Sequence, residues 1–177
     1  MPFSRRKSPY NEAALYEYAI GALARRARAV AEMKRLLRQR ITGQENGEVL
    51  VEAVIGKLKE QRYLNDTHFA AAYCSYRREK EHFGRRRVIA DLKTKGVHGE
   101  IIEKSVNAAY EGISEERLAR EHLARKRMQK PADTKGAARV FRTLMRAGFT
   151  SRTIFSILKE WDVADEVITA LEGEDTP

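Results

Sequence analysis

The residues best equipped for chemistry stand apart from one another. His68, His82, His98 and His122 are the four histidines, and no two share an HxxxH-type spacing. That spacing would put two imidazoles on one helix face, so no metal-ligand set is expected. Cys74 lies in "FAAAYCSY" with no identifiable base nearby. It reads as a buried thiol rather than a nucleophile. Neither a Walker A sequence nor GxGxxG is present, and no cofactor is expected. The carboxylates are spaced for ion pairs with basic neighbours, not clustered for the metal of a nuclease. A protein without catalytic machinery is the expectation.

The basic residues are different, because they recur in groups. Arg25, Arg26 and Arg28 form one group, and Arg77 and Arg78 a second. Arg85, Arg86 and Arg87 head the stretch "GRRRVIADLKTKGV", and Arg125, Lys126 and Arg127 close the series. Each group falls at a helix end. Arginine offers a planar fork of donors that fits phosphate or carboxylate in two-point contact. Their repetition points to a shared basic surface for a partner, against the alternative of solvated helix faces.

Charge supports a polyanionic or acidic partner. The 177 residues carry 34 basic and 25 acidic groups, a net charge of +9. Residues 1–40 hold +7, 41–84 hold −1, 85–130 hold +5 and 131–177 hold −2. A basic field speeds encounter with polyanions without naming one. No apolar run is long enough for a membrane span. The basic start "MPFSRRKSPY" is followed by no apolar signal region. With a lone cysteine, these features lead to the expectation of a cytoplasmic protein.

Helices must position these groups, for strand alternation is scarce and 3.6-residue spacing pervasive. The apolar pattern predicts helices over about 11–26, 28–40, 48–61, 67–79, 85–95 and 99–110. A further helix follows Ser114, and others cover about 135–146 and 151–161, with a short acidic one to about 171. Asn65 and Asp66 are candidate N-caps for the fourth helix, and Ser114 for the seventh. The fourth is expected to bury Phe69, Ala72, Tyr73 and Tyr76. Packing is favoured over base stacking for these aromatics.

An internal repeat organises the series. Shifted by 52 residues, "GRRRVIADLKTKGV" meets "GAARVFRTLMRAGF". Gly84 then pairs with Gly136, Arg87 with Arg139, Val88 with Val140, Leu92 with Leu144 and Gly96 with Gly148. Arg85 and Arg86 face Ala137 and Ala138, so the scaffold can be built without them. The first third fits more loosely, with Arg40 where a glycine is expected. The expected fold is all-α, a tandem array of three three-helix, helix-turn-helix-like repeats, elongated and open to curvature. The expected divisions are a basic N-terminus (1–10), repeats at 11–62, 63–112 and 113–161, and an acidic helix and tail (162–177).

The order and spacing of four segments resembles the RecX family of bacterial regulators of the RecA recombinase. The segments are "ALARRARAVAEMKRLL" (Ala22–Leu37), "YLNDTHFAAAY" (Tyr63–Tyr73), "FGRRRVIADLKTKGV" (Phe83–Val97) and "RVFRTLMRAGF" (Arg139–Phe149). The resemblance implies tandem three-helix repeats, no enzymatic activity, and binding to RecA filaments on DNA. It implies restraint of strand exchange, ATPase and co-protease activity in DNA repair and the SOS response. RecA is then the expected partner, with DNA inside the filament or bound directly, and the protein a monomer. Direct DNA binding through phosphate contacts is the alternative. One departure concerns Ala29, where the family usually has a serine capping the second helix. Either the first two helices join more continuously, or the cap is weaker by about 1 kcal/mol.

Overall fold

A computed structural model describes residues 10–174 of the chain. The described residues form ten α-helices and no strand. In order they are α1 (Glu12–Arg25), α2 (Val30–Arg40), α3 (Gly47–Glu60), α4 (Asp66–Glu79) and α5 (Arg85–Thr94). Then follow α6 (Gly99–Tyr110), α7 (Glu115–Arg125), α8 (Thr134–Ala147), α9 (Ser151–Glu160) and α10 (Asp165–Glu174). Two compact units contain them. Of the described residues, one comprises 10–69 together with Thr94–His98, the other Ala70–Lys93 and 99–174.

In the first unit α1, α2 and α3 enclose Leu15, Ala19, Ala22, Met33, Leu37, Val51, Val54, Ile55 and Leu58. The turn after α5 belongs to this unit. Gly96 there has φ +80°, and a Cβ on it would stand 2.5 Å from Ala31 Cβ on α2. Arg35 donates to the Thr94 carbonyl at 3.2 Å, and Lys95 pairs with Glu32 at 3.3 Å. The first repeat lacks a glycine at Arg40, and its turn is made three residues later by Gly43, at φ +80°.

The helices α1 and α2 are separate, so the loss of serine at position 29 has not fused them. A carboxylate from elsewhere caps α2. Asp66 Oδ1 accepts from the Val30 amide at 2.8 Å, and Glu32 Oε2 accepts from the Ala29 amide at 3.3 Å. Of the two cap candidates before α4, Asn65 performs that task, accepting from the His68 amide at 3.0 Å. Ser114 caps α7 as expected, accepting from the Arg117 amide at 3.2 Å.

The second unit has its largest core where α7, α8, α9 and α10 meet. Leu118, Leu123, Val140, Phe141, Leu144, Phe149, Ile154, Ile157, Leu158, Ile168 and Leu171 are buried there. The Glu115 carboxylate, on the first residue of α7, binds the start of α9. It accepts from the Thr150 amide at 3.0 Å and from the Thr150 and Thr153 hydroxyls at 2.8 and 2.7 Å.

Cys74 on α4 is buried as expected, but the rest of the inward face differs from expectation. Ala70 and Cys74 are fully buried, while Phe69 and Tyr73 are only half-buried, Ala72 is exposed and Tyr76 is 55% exposed. Small side chains fill the fully buried positions of this helix, and the aromatic rings lie at the margins. The last helix also runs to Glu174, beyond the expected end at Leu171.

Candidate partner-binding basic surface

The arginine row opens α5, and α5 begins by docking on the end of α8. The Gly84 amide donates to the Ala147 carbonyl at 2.8 Å, and the Arg86 amide to the Gly148 carbonyl at 3.3 Å. Free amides at a helix start need acceptors, and free carbonyls at a helix end need donors. The two termini answer each other. Only glycine allows the approach, because a Cβ on Gly84 would stand 2.8 Å from the Phe149 nitrogen.

The three arginines then part. Arg87 turns back on the scaffold: its Nε pairs with Asp91 Oδ1 at 3.1 Å, one helical turn on. Its Nη1 reaches the Arg146 carbonyl at 3.5 Å, and its guanidinium lies 5.8 Å from the Phe83 ring centre. The side chains of Arg85 and Arg86 are exposed and make no hydrogen bond or ion pair with a described residue. The first turn of α5 holds no acidic residue. Cations there oppose the helix dipole by roughly 0.3–1 kcal/mol each.

Arg77 and Arg78 are half-buried and engaged. Arg77 pairs with Glu81 at 2.5 Å and Asp91 at 3.3 Å, and donates to the Tyr73 hydroxyl at 2.8 Å. Its guanidinium also stacks 4.9 Å from the Tyr73 ring and 5.2 Å from Phe83. Burial opposes its charge, and the bonds to Tyr73 and Glu81 more than compensate, so its pKa is raised. Arg78 donates to the Ala109 carbonyl and pairs with Glu79. Phe83 is fixed from the other side by the Tyr110 hydroxyl, which donates to its carbonyl at 2.8 Å. Burial pushes the Tyr110 pKa up.

At the α1–α2 turn Arg25 is exposed, and Arg26 reaches Glu32 at 3.2 Å while half of its side chain stays in solvent. Arg28 is partly covered, and its Nε is buried without a partner among the described residues. Burial, then the charge of Arg26, lowers its pKa. At the end of α7, Arg125, Lys126 and Arg127 are all exposed. Lys126 and Arg127 donate their amides to the His122 and Ala124 carbonyls at 3.0 and 2.9 Å, which fixes the turn. The cations thus sit where a helix end is closed by hydrogen bonds. Their backbones are held by hydrogen bonds, and their side chains are exposed.

Two other reactive groups are part of the core. Cys74 is buried and its thiol pKa is pushed up to about 11 by burial. His122 is 2% exposed between the rings of Phe83 and Phe149, at 5.5 and 6.0 Å. Its Nδ1 lies 3.0 Å from the Glu81 carbonyl, which can only accept, so the proton is on Nδ1. Among the described residues no group of three or more His, Cys, Asp or Glu could hold a metal ion. No described helix is long and apolar enough to cross a membrane.

Residues 65–106, from the cap of α4 into α6, match the family model described as RecX, second three-helix domain. The regulatory protein RecX of Mycobacterium sp. (strain JLS) is 30% identical over 155 residues, which cover 85% of this chain and 82% of that one. The chain belongs to the RecX family. RecX of Geobacillus thermodenitrificans (strain NG80-2) is 32% identical over 149 residues. The chain spans 53% of the length of that relative. Two solved structures share the RecX fold at 19% identity. A crystal structure of regulatory protein RecX has a TM-score of 0.67, over 84% of this chain and 73% of that one. RecX from Lactobacillus salivarius gives 0.62, over 86% and 97%. The fold is all-α, and the curated relatives are named regulatory proteins.

Sequence reasoning found the arginine groups but not what holds them. Asp91 and Glu81, which clamp Arg77, looked like ordinary surface acids. The i,i+4 spacing of Arg77 to Glu81 and of Arg87 to Asp91 was the available signal.

Proposed function

We propose that this RecX-family protein is a non-enzymatic regulator that binds a RecA filament on DNA. Bound there, it restrains strand exchange, ATPase and co-protease activity by obstructing the filament groove. This reading keeps the divisions at 11–62, 63–112 and 113–161 as its repeats, and a monomer in the cytoplasm as its state.

The supporting observation is the contrast within the arginine row. Arg87 is spent on the scaffold, whereas Arg85 and Arg86 extend from a docked helix start, exposed and unpaired among described residues. Stability does not favour two cations at that end of a helix. Contact with an acidic partner does. Arg25, Arg125, Lys126 and Arg127 share the exposed state and complete the proposed contact set. Arg26 is divided between Glu32 and solvent, Arg77 and Arg78 are committed to contacts within the chain, and Arg28 is partly covered.

The test is the ATPase and strand exchange of a cognate RecA, titrated from substoichiometric to equimolar protein. Inhibition of both is expected. Activity unchanged at equimolar protein would overturn the reading.

A further inference from the structure

The helix α8 carries a charged face that the arginine groups above do not include. Lys135, Arg139, Arg142 and Arg146 are all exposed. At 3.6 residues per turn they fall within an arc of about 60° and extend along about 16 Å of the axis. The opposite side of α8 is the core face, with Ala137, Val140, Phe141, Leu144 and Ala147 buried. No acidic residue occurs anywhere in Thr134–Ala147. None of the four side chains pairs with a described carboxylate. The following helix continues the pattern. Arg152 and Lys159 on α9 line an open depression with Phe155, and the one acid of α9, Glu160, is held by Arg120.

A patch for a protein partner is built around buried apolar or aromatic anchors with charges of both signs at the rim. The outward face of α8 has no such anchor. Among the described residues the large exposed apolar side chains are Val49, Tyr63 and Tyr76, on other elements. A straight file of cations with no interleaved acid suits a ligand whose charge is of one sign and evenly spaced. The phosphate backbone of a nucleic acid is that ligand.

We infer that the outward face of α8 is a nucleic-acid docking surface, with Lys135, Arg139, Arg142 and Arg146 each contacting backbone phosphate. The contact is to phosphate alone, so it discriminates little between sequences. It requires no RecA, and so stands or falls apart from the filament reading. The surface escaped the charge count because the segment 131–177 nets −2. Its acids are concentrated outside α8, mostly from Glu160 onward.

The experiment is fluorescence anisotropy of the full chain with a labelled single-stranded oligonucleotide and with a duplex of equal length, over a KCl series. The combined change Arg139→Ala, Arg142→Ala and Arg146→Ala removes three phosphate contacts. The slope of log affinity against log salt should become shallower by about 2 on the single strand and about 3 on the duplex. Arg142→Gln alone, a change at one exposed side chain, should flatten it by somewhat under 1 and guards against misfolding of the triple variant. An unchanged slope and affinity in both variants would overturn the inference. So would loss of binding to a RecA filament with binding to naked nucleic acid intact, which would assign the face to protein. Loss of naked-DNA binding with RecA inhibition retained would uphold it.

Discussion

Gly84 and Gly148 meet backbone to backbone. A Cβ on Gly84 would lie 2.8 Å from the Phe149 nitrogen, and one on Gly148 would lie 2.5 Å from Arg87 Cβ. The start of α5 is thereby seated on the end of α8, as α2 is seated on the turn at Gly96. One contact recurs, made by a turn glycine of the later segment against a helix start of the earlier one. It explains why glycine recurs at Gly96 and Gly148. Gly136, which pairs with Gly84 in the sequence repeat, has a local role instead. Its nearest neighbours are Asp133 and Pro131, within its own helix start.

Substitution at these glycines should therefore be costly. Gly84→Ala must displace backbone and is expected to cost about 1–3 kcal/mol, the usual range for overpacking. Gly148→Ala adds the strain of a left-handed residue, about 1–2 kcal/mol more, at φ +88°. Gly56→Ala is the control: it sits in α3 with nothing within 4 Å of a new Cβ. It should stabilise by about 0.5–1 kcal/mol. Urea unfolding of the three variants checks the order, and equal midpoints for Gly84→Ala and Gly56→Ala would contradict the seating.

The cap of α2 gives a second test. Asp66→Ala removes the acceptor for the Val30 amide and is expected to cost about 1 kcal/mol. Ala29 has extended backbone, φ −70° and ψ 156°, which suits a capping serine. Ala29→Ser adds an acceptor for the Ala31 or Glu32 amide, not for the Val30 amide that Asp66 serves, so it should stabilise by about 0.5–1 kcal/mol in both backgrounds. Thermal unfolding of the four-member cycle checks this, and strong non-additivity would show that the two caps serve the same amide.

Helix number and most helix bounds were legible in the sequence, because apolar spacing and cap residues are local signals. The inward face of α4 was not. Periodicity weighs bulky side chains, and so favoured Phe69, Tyr73 and Tyr76 over Ala70, although Cys74 is buried as expected. The fully buried positions of α4 take small side chains instead. Among the arginines, the division of Arg87 from Arg85 and Arg86 was readable, since Arg139 repeats only the first of these. The clamp on Arg77 was hidden because Asp91 lies on the next helix. The cations of α8 were hidden by averaging their charge with that of the acidic residues that follow in the sequence.

That division carries a third prediction. Arg85→Ala with Arg86→Ala should leave the melting temperature unchanged or raise it slightly, since neither side chain bonds to a described residue and both oppose the helix dipole. The same pair of changes should weaken binding to a RecA filament tenfold or more. Arg77→Ala breaks contacts with Glu81, Asp91 and Tyr73 at a half-buried site. It should cost about 1–3 kcal/mol, partly because two acids are left facing each other. Arg87→Ala, at a more exposed pair with Asp91, should cost under about 1 kcal/mol. Filament co-sedimentation alongside calorimetry separates the two effects. Equal melting temperatures and equal affinities across the set would reduce the row to a solvated helix face.

The last prediction concerns acid. Burial between Phe83 and Phe149, then the charges of Lys126 and Arg125, lower the His122 pKa, while the bond to Glu81 raises it only in part. The folded state therefore binds the proton less well than the unfolded chain, whose histidines titrate near 6.5. The unfolded state gains the proton first as pH falls. The contribution of His122 is thus fully present above about pH 6.5 and declines below it, until the folded pKa is passed. His122→Phe keeps a ring between Phe83 and Phe149 and cannot take a proton. It loses the bond to the Glu81 carbonyl, so it should be less stable than the native chain at pH 7.5. Its deficit should shrink between pH 7 and pH 5, because only the native chain carries the histidine penalty. Urea unfolding of both proteins across that range measures the difference, and a deficit independent of pH would show that His122 titrates alike in both states.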